Sequence, residues 1–416
     1  MRILWLCSTP TPEIAKSAGI KRAVNVSWIV NTLKELKENV NMCVSFPVNT
    51  QNMIEGVVDG VEYFGYPQKN QDPTIYNKET EQYLEEVVIK FNPEVIHIWG
   101  TEYPYTLAMI NACEKLGLID KTIISIQGLC SVIARHYYAA LPNKIIKRYT
   151  IRDLIKRESI KKQKQIFEKR GSFEIEALKK AKHVIGRTDW DKACVTQINP
   201  DVNYHFCNET LRDSFYNNKW EYDNCEKHSV FVSQGYYPIK GLHFMIEALA
   251  ILKQTYPDVK LYVGGLDLVN RGWKTASYGK YIKDLIKKYG LSENIQFTGM
   301  LNEQKMCEQY LKANVFVSPS SIENSPNSVG EAMLLGMPVV SSDVGGVKNL
   351  LTHGEEGYIY PYDEPYMLAN YIKNIFKSEE IAKKTGEKAK KKAEEIYSRK
   401  KNLADILNIY DSIKNN

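Results

Sequence analysis

Residues 318–346 read SPSSIENSPNSVGEAMLLGMPVVSSDVGG. Just before them, Val315-Phe316-Val317 is a short apolar run of strand-forming residues, of the kind that lies buried in a parallel sheet. Ser325 followed by Pro326 is a helix-start signal: a capping hydroxyl, then the residue whose missing N–H costs nothing in a first turn. The predicted helix continues through Glu331-Ala332-Met333-Leu334-Leu335 and stops at Gly336, with Pro338 beyond it as a terminator. Val339-Val340 opens the next strand. Strand, loop, helix and strand in so short a span make a parallel α/β unit.

A helix that starts at the carboxyl end of a parallel strand aims the N–H groups of Asn327 and Ser328, with a partial positive charge, at whatever binds there. That suits a phosphate or pyrophosphate. Glu323 and Glu331 flank the same point. Carboxylates beside an anion site are better suited to accept hydrogen bonds from sugar hydroxyls than to meet the anion. Phosphate and hydroxyls together indicate a nucleotide sugar.

Glu323-x7-Glu331, followed by A-M-x-x-G-x-P-V-V and Gly345-Gly346, resembles the signature of the family 4 retaining glycosyltransferases (glycosyl transferases group 1). The resemblance implies an α/β chain of the GT-B fold, with two Rossmann-like doubly wound domains facing across a cleft. It implies a nucleotide-sugar donor on the second domain and a glycan or lipid-linked acceptor on the first. It is strong from Val230 to about Asp363 and mainly architectural before that.

Composition agrees with such a chain. A length of 416 residues is comfortable for two domains. The net charge of +6 fits polyanionic ligands or a loose attraction to anionic lipid, and identifies neither. No uninterrupted apolar run approaches a membrane span, and Met1 to Cys7 is too short for a signal-peptide core and reads as a first buried strand. The eight cysteines contain no C-x-x-C pair, so buried free thiols in a reducing cytoplasm are expected rather than disulfides or zinc.

Strands and helices alternate along both halves, which predicts a domain over 1–210, a linker over Asn208–Lys227, and a second domain over 225–395. By the resemblance, the last helix, 399–416, packs back on the first domain. In the first half, strand Ile3–Leu6, a broken loop and a helix from about Arg22 to Lys37 make a ligand-facing unit. The family's matching loop brings backbone to the donor phosphates near a glycine; Gly19 is the candidate, with a plain turn the alternative. Val57–Phe64 reads as a hairpin-like or edge strand. His97 sits near the carboxyl end of a strand, where a histidine is more often structural than ligand-binding. Strand Thr122–Ile126 ends in Gln127, where the family often has a histidine on the donor sugar. Gln127 can hydrogen-bond a hydroxyl but carries no proton, and His136 is the candidate stand-in. Segment 144–170 carries eleven Lys and Arg against three acids with apolar residues interleaved. It reads either as a basic amphipathic element touching an anionic membrane or as a solvated helical excursion.

Transfer from a nucleotide sugar leaves negative charge on the departing diphosphate, which a metal or fixed cations must stabilise. Thr188-Asp189-Trp190-Asp191 contains the Asp-x-Asp pattern of the metal-dependent GT-A fold, but helix-start chemistry accounts for it, so no metal or other cofactor is expected. A cation is then required. Lys240 matches the lysine of the family's Arg-x4-Lys pair, while the arginine's place falls at Gly235. Gln234, the helix start at Asn327 and Ser328, or Arg187 are the available substitutes.

By the resemblance, Glu331 binds the nucleotide ribose, Glu323 meets the donor sugar or reacting centre, and the strand end at Gly299 shapes the nucleotide pocket. The sequence therefore predicts a cytoplasmic, metal-independent, retaining glycosyltransferase acting on a surface polysaccharide or lipid-linked glycan, with no nucleic-acid partner. The alternatives are a catalytically impaired homologue acting as a scaffold, and a GT-B epimerase or phosphorylase. An NAD-dependent oxidoreductase is disfavoured, because no G-x-G-x-x-G follows a predicted strand.

Overall fold

The computed structural model describes residues 1–20, 27–68 and 72–415. The start of the helix expected from Arg22, including Val26, lies outside them. The described chain divides into two compact units, one made of 1–132, 166–210 and 397–416, the other of 133–165 and 211–396.

The first unit holds an eight-stranded sheet. In chain order its strands are β1 (Arg2–Leu6), β2 (Asn41–Val48), β3 (Ile54–Val58), β4 (Val61–Pro67), β5 (Val95–Trp99), β6 (Thr122–Ser125), β7 (His183–Gly186) and β8 (Asn203–Phe206). They lie in the order β3-β4-β2-β1-β5-β6-β7-β8. All pairs are parallel except β3 with β4, which form a hairpin. Asp59 and Gly60 both take positive φ, which is what a two-residue Asp-Gly turn requires. The run Val57–Phe64 is therefore the hairpin of its two readings, split by that turn, and β4 lies inside the sheet while β3 is its edge. The core is apolar on both faces, with Ile3, Trp5, Val44 and Phe46 buried on one and Leu4, Leu6, Ile96 and Ile98 on the other. Helix Arg399–Lys414 falls in this unit, where Trp5 Nε1 donates to Tyr410 Oη at 2.9 Å.

The second unit holds six parallel strands: β9 (Glu226–Val232), β10 (Lys260–Val263), β11 (Ile295–Phe297), β12 (Ala313–Ser318), β13 (Val339–Ser342) and β14 (Tyr358–Tyr360). Their order is β11-β10-β9-β12-β13-β14. Successive strands run outward in one direction up to β11, and β12 then starts on the other side of β9. The order thus reverses between β9 and β12, and a doubly wound sheet opens its ligand crevice outside the carboxyl ends of such a pair. Val230, Phe231, Val315, Phe316 and Val317 bury the sheet from both faces.

Two features differ from the sequence-based expectation. Residues 208–227 are not an open linker: Phe215 and Trp220 are buried, and Trp220 Nε1 donates to Ala313 O at 2.8 Å. Two aromatic anchors outweigh the polar residues around them. Residues 133–165, expected within the first domain, make their contacts in the second unit. Arg148 pairs with Asp284 at 2.8 Å, and His243 Nε2 lies 2.9 Å from Ala139 O. The basic stretch resolves into helices Asn143–Ile146, Ile151–Lys156 and Ile160–Lys180.

Candidate functional site

At the β9/β12 switch point lies a cavity of about 410 Å³. Val232 to Gln234, leaving β9, form one wall, and Val317 to Ser320, leaving β12, form another. Met300, Leu301 and Met306 add an apolar side. Lys240, Glu323, Asn327, Ser328, Glu331 and Gln234, all candidates from the sequence, line this one space.

The helix that points into it spans Asn327–Leu335 and is buried from Val329 onward. Pro326, not Ser325, occupies the cap position, with φ −69° and ψ 112°, and supplies no side-chain cap. Ser325 is buried one residue earlier. The helix therefore begins one residue later than expected, because Pro326 has extended rather than helical backbone. Its consequence favours an anion site: Asn327 and Ser328 become the first two helical residues, whose N–H groups have no acceptor within the helix. The first turn carries no acid to neutralise the dipole. Gly336 closes the helix at φ 75°, with Met337 N bonded to Ala332 O.

Glu331 is buried, and Arg212 grips it with both arms: Nε to Oε1 at 2.6 Å and Nη2 to Oε2 at 2.6 Å. Burial raises the carboxyl above its ordinary value, and the guanidinium works against that rise. Arg212 is itself held over the Phe215 ring at 4.7 Å. Tyr310 Oη donates to Ser328 O at 3.0 Å, tying the helix start to helix Glu303–Lys312. Arg212 is not legible from the sequence because it lies 119 residues from Glu331 in an apparent linker. The buried aromatics Phe215 and Trp220 nearby are the available signal.

Lys240 ends the 3₁₀ turn Pro238–Lys240, and its Nζ donates to Glu323 Oε1 at 2.6 Å. Ser320 Oγ donates to the same oxygen at 2.7 Å. Two glycines make this meeting possible. Gly241, at φ 68°, lies so close to Pro319 that a Cβ would sit 1.7 Å from its carbonyl oxygen. Gly345, at φ 53°, stands in the same relation to Glu323 O, at 1.8 Å. Only glycine takes both the conformation and the approach without strain. Gly346 N then donates to Glu323 O at 3.2 Å, so the Gly-Gly turn fastens the Glu323 loop.

Gly235 leaves no room for the family's arginine: a Cβ would meet Leu242 Cδ2 at 2.8 Å and Val263 Cγ1 at 2.9 Å. Gln234 is exposed on the cavity wall. Gly299, at φ 76°, accepts from Gly265 N at 3.1 Å, and Gly265 lines the cavity.

The remaining candidates lie elsewhere. Gly19, at φ 67°, ends the turn after helix Pro12–Ser17 in the first unit. His97 is fully buried there, with Nδ1 2.5 Å from Tyr410 Oη and Nε2 2.6 Å from Ser125 Oγ. Both ring nitrogens are taken and burial lowers its pKa to about 3, so it is a neutral core histidine rather than a ligand contact. Gln127 Nε2 donates to Glu209 at 2.5 Å, and Glu209 also pairs with Arg187 at 2.8 Å. Arg187 thus already has its counter-ion in the first unit. His136 is exposed in the second unit, where its carbonyl accepts from Ser321 Oγ at 3.4 Å. Thr188 caps helix Asp189–Ile198 with Asp191 in a reciprocal capping box, and Tyr204 Oη donates to Asp191 Oδ1 at 2.5 Å.

Comparison with known proteins bears on the fold. Residues 215–392 match the family described as glycosyl transferases group 1. The amylovoran biosynthesis glycosyltransferase AmsK of Erwinia amylovora is 28% identical over 140 residues, 34% of each chain. The curated relatives are matched over less than half of their own length, 46% and 45% for two of them. Solved structures cover nearly all of the chain. Sucrose-phosphate synthase from Thermosynechococcus elongatus superposes with a TM-score of 0.71 at 16% identity, over 99% of both chains. Anabaena HepE, solved in complex with UDP-glucose, does so with a TM-score of 0.68 at 15% identity, over 98% of this chain and 99% of that one. These are GT-B structures, and the fold of this chain is theirs.

Proposed function

We propose that this chain, whose residues 215–392 form a group 1 glycosyl transferase domain, moves a sugar from a nucleotide-diphosphate donor to a surface polysaccharide or lipid-linked glycan, with retention and without a metal. The observation that carries this reading is the convergence of Lys240, Glu323, Glu331 and the start of helix Asn327–Leu335 on one cavity of about 410 Å³. The N–H groups at Asn327 and Ser328 suit the diphosphate. Glu331, held by Arg212, keeps lone pairs for the ribose hydroxyls. Met300, Leu301 and Met306 suit the flat face of a base.

In transfer, the bond from the anomeric carbon to the diphosphate oxygen breaks as the acceptor oxygen bonds to the same face of that carbon. The acceptor proton passes to the departing phosphate oxygen. Lys240 is close enough to Glu323 for one to hold the leaving group while the other orients the sugar. With Gly235 closed by Leu242 and Val263, Lys240 and the helix start act there without the family's arginine.

The test is thermal stabilisation by UDP, GDP, ADP and their sugars, with EDTA present, for the wild type and Glu331→Gln. Ligand at a hundred times its Kd adds about 2.7 kcal/mol to stability. A shift with one nucleotide, kept in EDTA and reduced in the variant, supports the donor site. No shift with any of them favours the scaffold alternative, and a shift abolished by EDTA sinks the metal-independent mechanism.

The reading places the chain in the cytoplasm, at the inner face of the membrane; its eight cysteines are all free thiols. Among the described residues no helix is long and apolar enough to cross a membrane. Helix Ile151–Lys156 supports a peripheral contact. Its inner face is anchored through the buried Asp153, while Ile151, Leu154 and Ile155 are 63%, 66% and 62% exposed beside Lys147, Lys156 and Arg157. Apolar groups set among cations fit an anionic bilayer. Sedimentation with vesicles of phosphatidylglycerol should carry the chain down, and Ile151→Ser/Leu154→Ser should release it. Equal binding to phosphatidylcholine would overturn this.

A further inference from the structure

A second recess lies in the same unit, on the other side of the turn that carries Lys240. Pro238 lines this recess and Lys240 lines the donor cavity, and the two residues belong to one 3₁₀ turn. At about 2 Å of rise per residue they are about 4 Å apart along its axis. One short turn of chain thus contributes a wall to each space.

The walls are built and internally satisfied. Asp153, 2% exposed, accepts from Thr150 N at 3.1 Å and from Ser277 N at 3.0 Å, which fixes helix Ile151–Lys156 to helix Ser277–Lys288. Arg152 is committed to Glu158 at 2.8 Å and to Asp153 at 3.5 Å. Tyr278 Oη lies 3.0 Å from His243 Nδ1, so this tyrosine is locked as well.

Two cations on the lining are left over. Among the described residues, neither Arg271 nor Lys274 has a carboxylate partner; Lys274 has only the Trp273 ring, 5.5 Å away. They stand beside Tyr236 and Tyr237, an edge-to-face pair with centroids 5.1 Å apart. Trp273, in the same short turn as Lys274, is 61% exposed. Aromatic faces stack on the C–H face of a sugar ring, and unpaired guanidinium and ammonium groups take a carboxylate or phosphate.

Resting on the transferase reading, we propose that this recess, walled in part by Tyr137 and Arg152 of the segment expected within the first domain, is an acceptor subsite and that it takes an anionic sugar, one bearing a carboxylate or a phosphate. The neutral part of the sugar lies on Tyr236 and Tyr237, and its charge meets Arg271 and Lys274. Selection is by charge, so a neutral sugar of the same size binds poorly.

The experiment is calorimetric binding to the full chain of a glucuronate-terminated disaccharide, glucose 1-phosphate and maltose. It is run with the donor cavity filled by whichever of UDP, GDP or ADP stabilises the chain. At least one acidic probe should bind ten-fold or more tightly than maltose, and which one does so identifies a carboxylate or a phosphate as the recognised group. Arg271→Gln/Lys274→Gln should remove that preference while leaving the melting temperature and the nucleotide-induced shift unchanged, because neither side chain is paired. Tyr237→Ala should weaken acidic probes and maltose alike. Equal binding of acidic and neutral probes, or an unaltered preference in the double variant, would overturn the assignment. A nucleotide shift with no acidic probe bound sinks this subsite alone; the absence of both sinks the transferase reading with it.

Discussion

Arg212→Met strikes the contact on which the cavity between β9 and β12 is built. It removes two N–H to carboxylate bonds of 2.6 Å and leaves Glu331, with its side chain 6% exposed, beside the apolar interior of its helix. An unpaired buried carboxylate costs about 3–5 kcal/mol if it stays ionised. It escapes that cost by taking a proton. For a carboxyl with an ordinary value of 4.5 this costs about 3.4 kcal/mol at pH 7 and about 1.4 kcal/mol at pH 5.5, at 1.36 kcal/mol per unit. In the variant the folded pKa stands far above the unfolded one. The folded state then holds a proton that the unfolded chain has released, so stability falls as pH rises above 4.5 and returns on acidification. The deficit against wild type should be about 3.4 kcal/mol at pH 7 and about 1.4 kcal/mol at pH 5.5. Arg212→Met/Glu331→Gln should recover most of it and show no such pH dependence. Urea unfolding at both pH values reads the deficit. With two units present, unfolding need not be one transition, so hydrogen exchange of the Asn327–Leu335 amides locates it. A loss below about 1 kcal/mol at pH 7, or an equal loss at both pH values, would refute the reasoning.

Lys240→Ala should lower kcat by about 10²–10³-fold, the scale of one lost transition-state donor. Its melting temperature should hardly move, since a partly exposed ion pair contributes about 0–1 kcal/mol; turnover of the nucleotide sugar and a melting curve test both halves. Gly345→Ala forces a Cβ against Glu323 O at a positive φ. It should cost about 1–3 kcal/mol and slow turnover, with unfolding and kinetics as readouts; a variant as stable and active as wild type would show that the turn does not position Glu323. His97→Gln concerns only the first unit. Because burial lowers His97 to about 3, the unfolded chain gains a proton below 6.5 that the folded chain refuses, and stability falls with pH across that window. Replacing it should flatten the acid limb by up to about 1.36 kcal/mol per pH unit and leave nucleotide-induced stabilisation intact. An unchanged limb would mean that the histidine charges in the fold.

The signals legible in the chain itself are local ones. Strand β12, the helix ending at Gly336 and the spacing of Glu323 and Glu331 follow from periodicity, glycine conformation and a few fixed intervals, all of which act over one or two turns of chain. Parallel strands alternating with helices then leave few topologies, and the doubly wound arrangement of each unit is among them. The hairpin at Asp59-Gly60 is a local signal of the same kind.

The site's partners are not local. Arg212 meets Glu331, Lys240 meets Glu323, and Gly345 presses on Glu323 O because the order of strands reverses between β9 and β12, bringing distant loops to one edge. His97 shows the converse. Its strand position leaves a core role, the commoner one, and a ligand contact both open, and the packing of Tyr410 and Ser125 against both nitrogens makes it part of the core. The sequence by itself determined the elements, the fold and the two glutamates, since backbone propensity and hydrophobic period act between near neighbours. Tertiary structure alone decided which charge neutralises which, since Coulomb and hydrogen-bond energies depend on distances and burial that only the assembled sheet sets.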